Sequence, residues 1–306
     1  MKFVRQIMFY VGLDLVLLLA FAAGLLMVWR TFGTQPLSFG HGSTVLPPIV
    51  MGVLVVISLL NSRRDQLAAR TLATIRDWSP LILMMIIYDN FHDLTRMVRP
   101  EVVDDSLRLV DESLFSVEPT LWMQRFVRPW LTEYMSFAYA TLFAYPIILL
   151  TVLYTRGKFF EFREFGLALS LAFYFGLLGY MLVPAVGPRY IMAHEFSVPL
   201  QGYWLTAKAA NAWESVTRVD RDCFPSLHTA LSTIALVYLR RNRSSLFWVS
   251  LPLIVSLWIS TIYLRYHYMI DVFAGWSLAG FCCVTAPALM RWYYSNKLEA
   301  AKAPAI

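Results

Sequence analysis

A chain of 306 residues that is 58% hydrophobic and 15% charged, with a mean hydropathy of +0.56, is too apolar for a soluble globular domain. Its apolar residues run in long stretches with the charges confined between them, the pattern of a polytopic membrane protein. The formal charge of +6 comes without a basic run interleaved with aromatics, so nothing points to nucleic acid, and three cysteines, Cys223, Cys282 and Cys283, make neither a disulfide framework nor a metal knuckle and read as small buried hydrophobes.

Eight spans are predicted, at 7–29, 45–61, 79–97, 132–155, 165–184, 225–239, 246–264 and 268–290. The first is too long for a signal-peptide core and reads as a retained span. It carries Asp14, which needs a partner inside the bundle. The third is half polar. Tyr88, Asp89, Asn90, His92 and Asp93 crowd its far end, as a solvated helix end or as groups that position an acceptor. Between the third and fourth spans, VVDDSLRLVDESLF and LWMQRFVRPWL within 98–131 read as short amphipathic helices along an interface. Without an internal repeat or a low-complexity linker, the chain reads as one all-α integral-membrane domain, 1–306, in which 1–131 holds the N-terminal spans and interfacial helices.

Charge bias orients the bundle. Lys2 and Arg5, then Arg63, Arg64, Arg70 and Arg76, then Arg156, Lys158 and Arg163, then Arg240, Arg241 and Arg243, then Arg291, Lys297 and Lys302 fall on one side, 15 of the 26 basic residues. The positive-inside rule makes that side cytoplasmic, with both termini on it. The segment 185–224 and the turn at 264–268 are then extracytoplasmic.

Three polar sets reach that far face. His267 and Asp271, four apart at the start of the eighth span, share a helical face. A carboxylate there can take the proton of one imidazole nitrogen and leave the other nucleophilic, although such a pair is also an ordinary structural hydrogen bond. In FPSLHTA, Pro225 suits a helix start, Ser226 adds a hydroxyl where unpaired N–H groups favour an anion, and His228 lies one turn in as a candidate proton donor. A plain cap beside an interfacial histidine is the alternative. In LVPAVGPRY, Pro184, Gly187 and Pro188 break the helix and present Arg189, either to phosphate oxygens or to lipid headgroups. A metal held by His228, His267 and Asp271 is a rival use of these groups, but neither H-E-x-x-H nor a cysteine ligand cluster accompanies them. Tyr263, Tyr266, Tyr268, Trp292, Tyr293 and Tyr294 read as interfacial anchors.

The runs VPAVGPRY, FPSLHTA and YLRYHYMIDVFAG, over about residues 182–275, together resemble the type 2 phosphatidic acid phosphatase superfamily, and more narrowly its inositol phosphorylceramide synthase-like branch. The resemblance implies a six-helix catalytic core, here 132–292, with extra N-terminal spans. It implies a lipid phosphatase or phosphotransferase without a cofactor or metal, acting on a lipid phosphate or phospholipid and passing the group to water or an alcohol. It implies that His267 is the nucleophile, that Asp271 orients it, that His228 protonates the leaving oxygen, and that Ser226 and Arg189 hold the phosphoryl oxygens.

Two departures stand out. The resemblance expects a lysine where Leu182 stands and an arginine where Thr261 stands. Arg265 or Arg221 could supply substitute charge, and a singly charged phosphodiester would need fewer cations than a monoester dianion. The expected location is an integral-membrane protein of the cell or inner membrane with its site on the extracytoplasmic face. A catalytically silent lipid-binding or transport protein of the same fold is the alternative.

Overall fold

Every regular segment among the described residues is helical. The computed structural model describes residues 12–32, 52–53, 66–89, 91–206 and 221–302, so nearly all of the span expected at 45–61 lies outside them. The order is α1 (Leu13–Phe32), α2 (Gln66–Asp89), α3 (His92–Val98), α4 (Asp104–Phe115), α5 (Pro119–Met123), α6 (Pro129–Ala140), α7 (Ala144–Thr155), α8 (Phe159–Leu182), α9 (Pro188–Ile191), α10 (Leu227–Arg241), α11 (Leu246–Tyr263) and α12 (Met269–Lys302). Five helical stretches among the described residues are long and apolar enough to cross a membrane: Leu13–Phe32, Pro129–Thr155, Phe159–Leu182, Leu246–Tyr263 and Met269–Asn296.

Local signals set several of these boundaries. Pro129 occupies the first turn of α6, where no N–H is missed. A 3-10 turn at Thr141–Phe143 divides the expected fourth span into α6 and α7. Helix α7 ends in a Schellman turn: Gly157 has φ +68°, and Lys158 N–H donates to the Leu153 carbonyl at 2.9 Å.

Helix α12 runs past its predicted end at 290 to Lys302, and α2 and α8 extend in the other direction. These two start earlier than hydropathy suggests, because Gln, Ala, Leu, Glu and Arg continue a helix beyond the apolar run. Arg76 and Arg163, counted above as loop cations, therefore lie within helices. Arg76 donates to Asp14 on α1 and to its neighbour Asp77, both at 2.6 Å. Arg163 grips Asp77 through Nε at 3.0 Å and Nη2 at 3.2 Å, and reaches the Tyr294 hydroxyl at 3.2 Å. The partner that Asp14 requires is thus an arginine from α2.

Helix α10 is the axis of the bundle. Its 15 residues span only about 22 Å, less than the roughly 30 Å of a bilayer core. Protein surrounds it: α12, α11, α8 and α7 pack against it, and eleven of its residues are buried. A helix sheltered in this way can begin with polar side chains without exposing them to lipid. Close approach at that end depends on glycines. A Cβ on Gly179 of α8 would stand 2.3 Å from the Pro225 ring, and one on Gly275 of α12 would stand 2.6 Å from the Ser226 carbonyl oxygen.

Candidate active site

Main-chain hydrogen bonds bring the three polar sets together. Cys223 N–H donates to the Ala185 carbonyl at 3.2 Å, Ser226 N–H to the Asp271 carbonyl at 3.1 Å, and Arg189 N–H to the Arg265 carbonyl at 2.7 Å. The segment 183–189 is thereby tied to 221–226 and to 265–271. Gly187 makes the turn into α9 with φ +98°, and a Cβ there would stand 2.5 Å from the Tyr266 carbonyl oxygen. Both the torsion and the space demand glycine.

His267 is buried, and its Nδ1 lies 2.9 Å from the carbonyl oxygen of Cys223. A carbonyl only accepts, so Nδ1 carries the proton and Nε2 keeps its lone pair. Asp271 Oδ2 stands 3.4 Å from the same Nδ1. It accepts from Tyr268 N–H at 2.8 Å and from the Cys223 thiol at 2.9 Å. The tautomer thus rests on a main-chain carbonyl, with the carboxylate charge beside it. Cys223, read from the sequence as a small buried hydrophobe, is buried as expected but also belongs to this network. Burial and the neighbouring Asp271 hold its thiol well above the usual range, so it stays a donor. Its sulfur, His267 Nδ1 and an Asp271 oxygen lie within 4.8 Å of one another. They are linked as a hydrogen-bond chain, thiol to carboxylate and imidazole to carbonyl.

His228 faces His267 with ring centroids 5.6 Å apart and planes at 61°. It belongs to a column in which each ring fixes the next: His228 stacks on Tyr139 at 4.3 Å, and Tyr139 stacks on Tyr266 at 4.8 Å. The Arg189 guanidinium caps that column 5.0 Å above the Tyr266 ring, with Nη1 donating to the Tyr266 hydroxyl at 3.2 Å. Tyr266 is therefore part of the site rather than an interfacial anchor. Tyr263 and Tyr268 are buried; Tyr263 pairs its hydroxyl with Thr132 at 2.9 Å, and Tyr268 donates to Asp104 at 3.2 Å. Of the six aromatic residues read as anchors, Trp292 is the large exposed one.

Ser226 is the N-cap of α10, with an extended backbone, so the helix starts at Leu227 and Pro225 stands just outside it. The expected hydroxyl donor is used as an acceptor: Ser226 Oγ receives the Thr229 N–H at 3.3 Å and the Thr229 hydroxyl at 3.2 Å. Arg265 occupies a left-handed conformation, φ +67°. Its guanidinium lies 3.9 Å above the Phe196 ring and donates to the Val198 carbonyl. Burial, with the nearby charge of Arg189, draws its pKa down to about 10. The Arg265 side chain is thus committed to the 196–198 segment, while its carbonyl holds Arg189.

Several neighbours were invisible as motifs. Tyr139 comes from α6. Asp104 and Asp111 come from α4, where Asp104 accepts from Val186 and Gly187 N–H at 3.0 and 2.8 Å, and Asp111 from Met269 and Ile270 N–H at 2.6 and 2.9 Å. Leu182, at the expected lysine, is 64% exposed, but Arg99 Nη1 donates to its carbonyl at 2.7 Å. Arg221 in turn donates to the Arg99 carbonyl at 2.9 Å. Thr261, at the expected arginine, is buried and bonds back to the Trp258 carbonyl. From the polar end of the expected third span, Tyr88 donates to Asp222 at 2.7 Å; with Met85, Phe173, Tyr180, His228 and Leu231 it lines a cavity of about 20 Å³. Asn90 lies outside the described residues.

Over 147 residues the chain is 26% identical to the phosphoinositol dihydroceramide synthase of Bacteroides thetaiotaomicron, covering 44% of this chain and 48% of that protein. It therefore spans about half the length of the curated relative it matches. No solved structure matches the chain. Residues 106–285, more than half of the sequence and the stretch that holds His228 and His267, match the PAP2 superfamily, to which this chain belongs.

Proposed function

We propose that this protein is a membrane lipid phosphatase or phosphotransferase that works through a phosphohistidine at His267, without a metal or other cofactor. The observation that carries the reading is the fixed tautomer of His267: Nδ1 is held at 2.9 Å by the Cys223 carbonyl, and the second histidine ring stands 5.6 Å away.

In the first step the Nε2 lone pair attacks phosphorus and a P–N bond forms as the P–O bond to the leaving group breaks. His228 gives its proton to the departing oxygen. Asp271, 3.4 Å from Nδ1, balances the positive charge that develops on the His267 ring. Arg189, with the N-terminal end of α10 around Ser226, holds the phosphoryl oxygens. In the second step water or an alcohol attacks the phosphohistidine, His228 takes back a proton, and His267 is regenerated. Arg265 has its own partners, so its part is to hold Arg189 through the main chain.

Transfer is favoured over simple hydrolysis. The name of the relative joins a phosphoinositol group to a dihydroceramide, and Leu182 and Thr261 replace two cations that a monoester dianion would call for. The substrate is accordingly a phospholipid carrying a phosphodiester headgroup, and the acceptor a lipid alcohol. We place this chemistry on the extracytoplasmic face of an eight-span bundle with both termini cytoplasmic.

The test is turnover of headgroup-labelled phosphatidylinositol and of labelled phosphatidic acid by the purified chain with chelator present. Transfer or release of the label, lost in His267→Ala and His228→Ala variants that still insert, is the expected result. Turnover that survives either substitution would overturn the assignment. Lipid binding without turnover, insensitive to His267→Ala, would instead favour a silent binding or transport protein.

A further inference from the structure

Helix α4 breaks the rule for an interfacial amphipathic helix. Asp104, Leu107 and Asp111, spaced three and four residues apart, share its inner face, and all three are buried, while Leu109 and Leu114 point outward and are exposed. A buried carboxylate is costly unless it is hydrogen-bonded. Both are bonded here, and to main chain rather than to arginine.

The four N–H groups they hold belong to the two turns that carry the site. Asp104 takes Val186 and Gly187, the residues leading into Pro188 and Arg189; its helix is tied to the same turn by Val103 N–H on the Pro184 carbonyl at 2.9 Å. Asp111 takes Met269 and Ile270, the first two residues of α12, whose N–H groups have no partner within their own helix. The residue before them, Tyr268, has no short side-chain acceptor with which to cap the helix. Asp111 of α4 supplies the cap from outside, next to His267 and one residue before Asp271. Tyr268 closes the arrangement by donating to Asp104 at 3.2 Å.

We propose that Asp104 and Asp111 are positioning residues: α4 clips the Arg189 turn and the first turn of α12 into one register, so that His267 Nε2 faces the phosphorus held by Arg189. The proposal rests on the phosphohistidine reading and adds a part to it. Burial, opposed by the two N–H groups and reinforced by the charge of Asp271, raises Asp111 to about 6. Asp271 on α12 and Glu118, the N-cap residue of α5, are the acidic groups that act on it. Protonation turns one acceptor oxygen into a donor opposite an N–H, so the clip loosens as pH falls through that value. The effect on global stability has the opposite sign. The folded state binds this proton more tightly than the unfolded chain, so the stabilisation from this group is lost as pH rises through about 6.

The experiment compares the full chain in detergent with Asp111→Asn, which matches the carboxylate in size but provides one acceptor oxygen, and with Asp104→Asn. Turnover is read with headgroup-labelled phosphatidylinositol and labelled phosphatidic acid, and amide exchange is read across residues 265–272. Asp111→Asn is expected to lower kcat about ten- to a hundredfold with little change in KM, to remove the acid limb near pH 6, and to speed exchange at Met269 and Ile270. Unchanged exchange overturns the clip, and so does faster exchange with wild-type kcat. If the unsubstituted chain turns over neither probe, the functional reading fails by itself. The clip is then judged on exchange alone, faster exchange supporting it and unchanged exchange refuting it.

Discussion

The two ends of α8 solve the same problem in different ways. Near its start, around Arg163, buried carboxylates meet arginines: Asp14 with Arg76, and Asp77 with Arg76 and Arg163. About 28 Å further along the helix, by its rise per residue, the buried carboxylates Asp104, Asp111 and Asp271 accept main-chain N–H groups and a thiol. There Arg189 lies against an aromatic ring. At the first end positive and negative charge cancel within a fork of bonds, as suits a joint between α1, α2 and α8. At the second, backbone dipoles satisfy the acids, and the Arg189 cation and the His228 imidazole are stacked on tyrosines. That is an arrangement suited to receive an anion.

If the ends differ in this way, substitutions should separate chemistry from stability. The largest effect is expected from His267→Ala, which should cut turnover about ten-thousandfold or more while the thermal midpoint in detergent stays near wild type. Next, Arg76→Ala should cost about 3–5 kcal/mol of stability by leaving Asp14 and Asp77 partly uncompensated. The folded fraction should keep its kcat, since the Arg76 ion pairs gather at the other end of α8 from the site. Gly179→Ala belongs between the two ends. Its methyl collides with Pro225, so a loss of about 1–3 kcal/mol should come with reduced turnover, measured by thermal unfolding and by rate. Tyr139→Leu removes the ring under His228 and should lower turnover about three- to tenfold, in line with about 0.5–1.5 kcal/mol for an aromatic pair. The smallest effect is assigned to Cys223→Ser, which keeps both the carbonyl that fixes His267 and a donor for Asp271. Turnover within about twofold of wild type fits a net hydrogen-bond difference well under 1 kcal/mol.

Much of the candidate site could be read in the sequence because its side chains fall in short motifs: Arg189 after a Gly-Pro break, Ser226 and His228 at a helix start, His267 and Asp271 one turn apart. The supporting parts could not. Any residue offers a carbonyl, so nothing about Cys223 signals that it sets the tautomer of His267. Tyr139 sits in an apolar run where an aromatic reads as lipid-facing. Asp104 and Asp111 looked like the wet side of an interfacial helix, because hydropathy cannot tell water from a backbone amide donated by a distant turn. The same blindness shortened α2 and α8, where helix-forming polar residues continue the helix past the apolar stretch. Arg76 and Arg163 were thus counted as loop charges although they are joined to Asp14 and Asp77.

The phosphohistidine assignment can be tried on one chemical trace. The purified chain is mixed with a substrate labelled at phosphorus, quenched in alkali within a single turnover, and digested for mass spectrometry of the segment around residues 263–273. The account predicts label on His267 attached at Nε2, because Nδ1 is occupied by the Cys223 carbonyl, and none in the His267→Ala protein. Label attached at Nδ1, label on His228, or turnover that leaves no labelled histidine at any time point would contradict it.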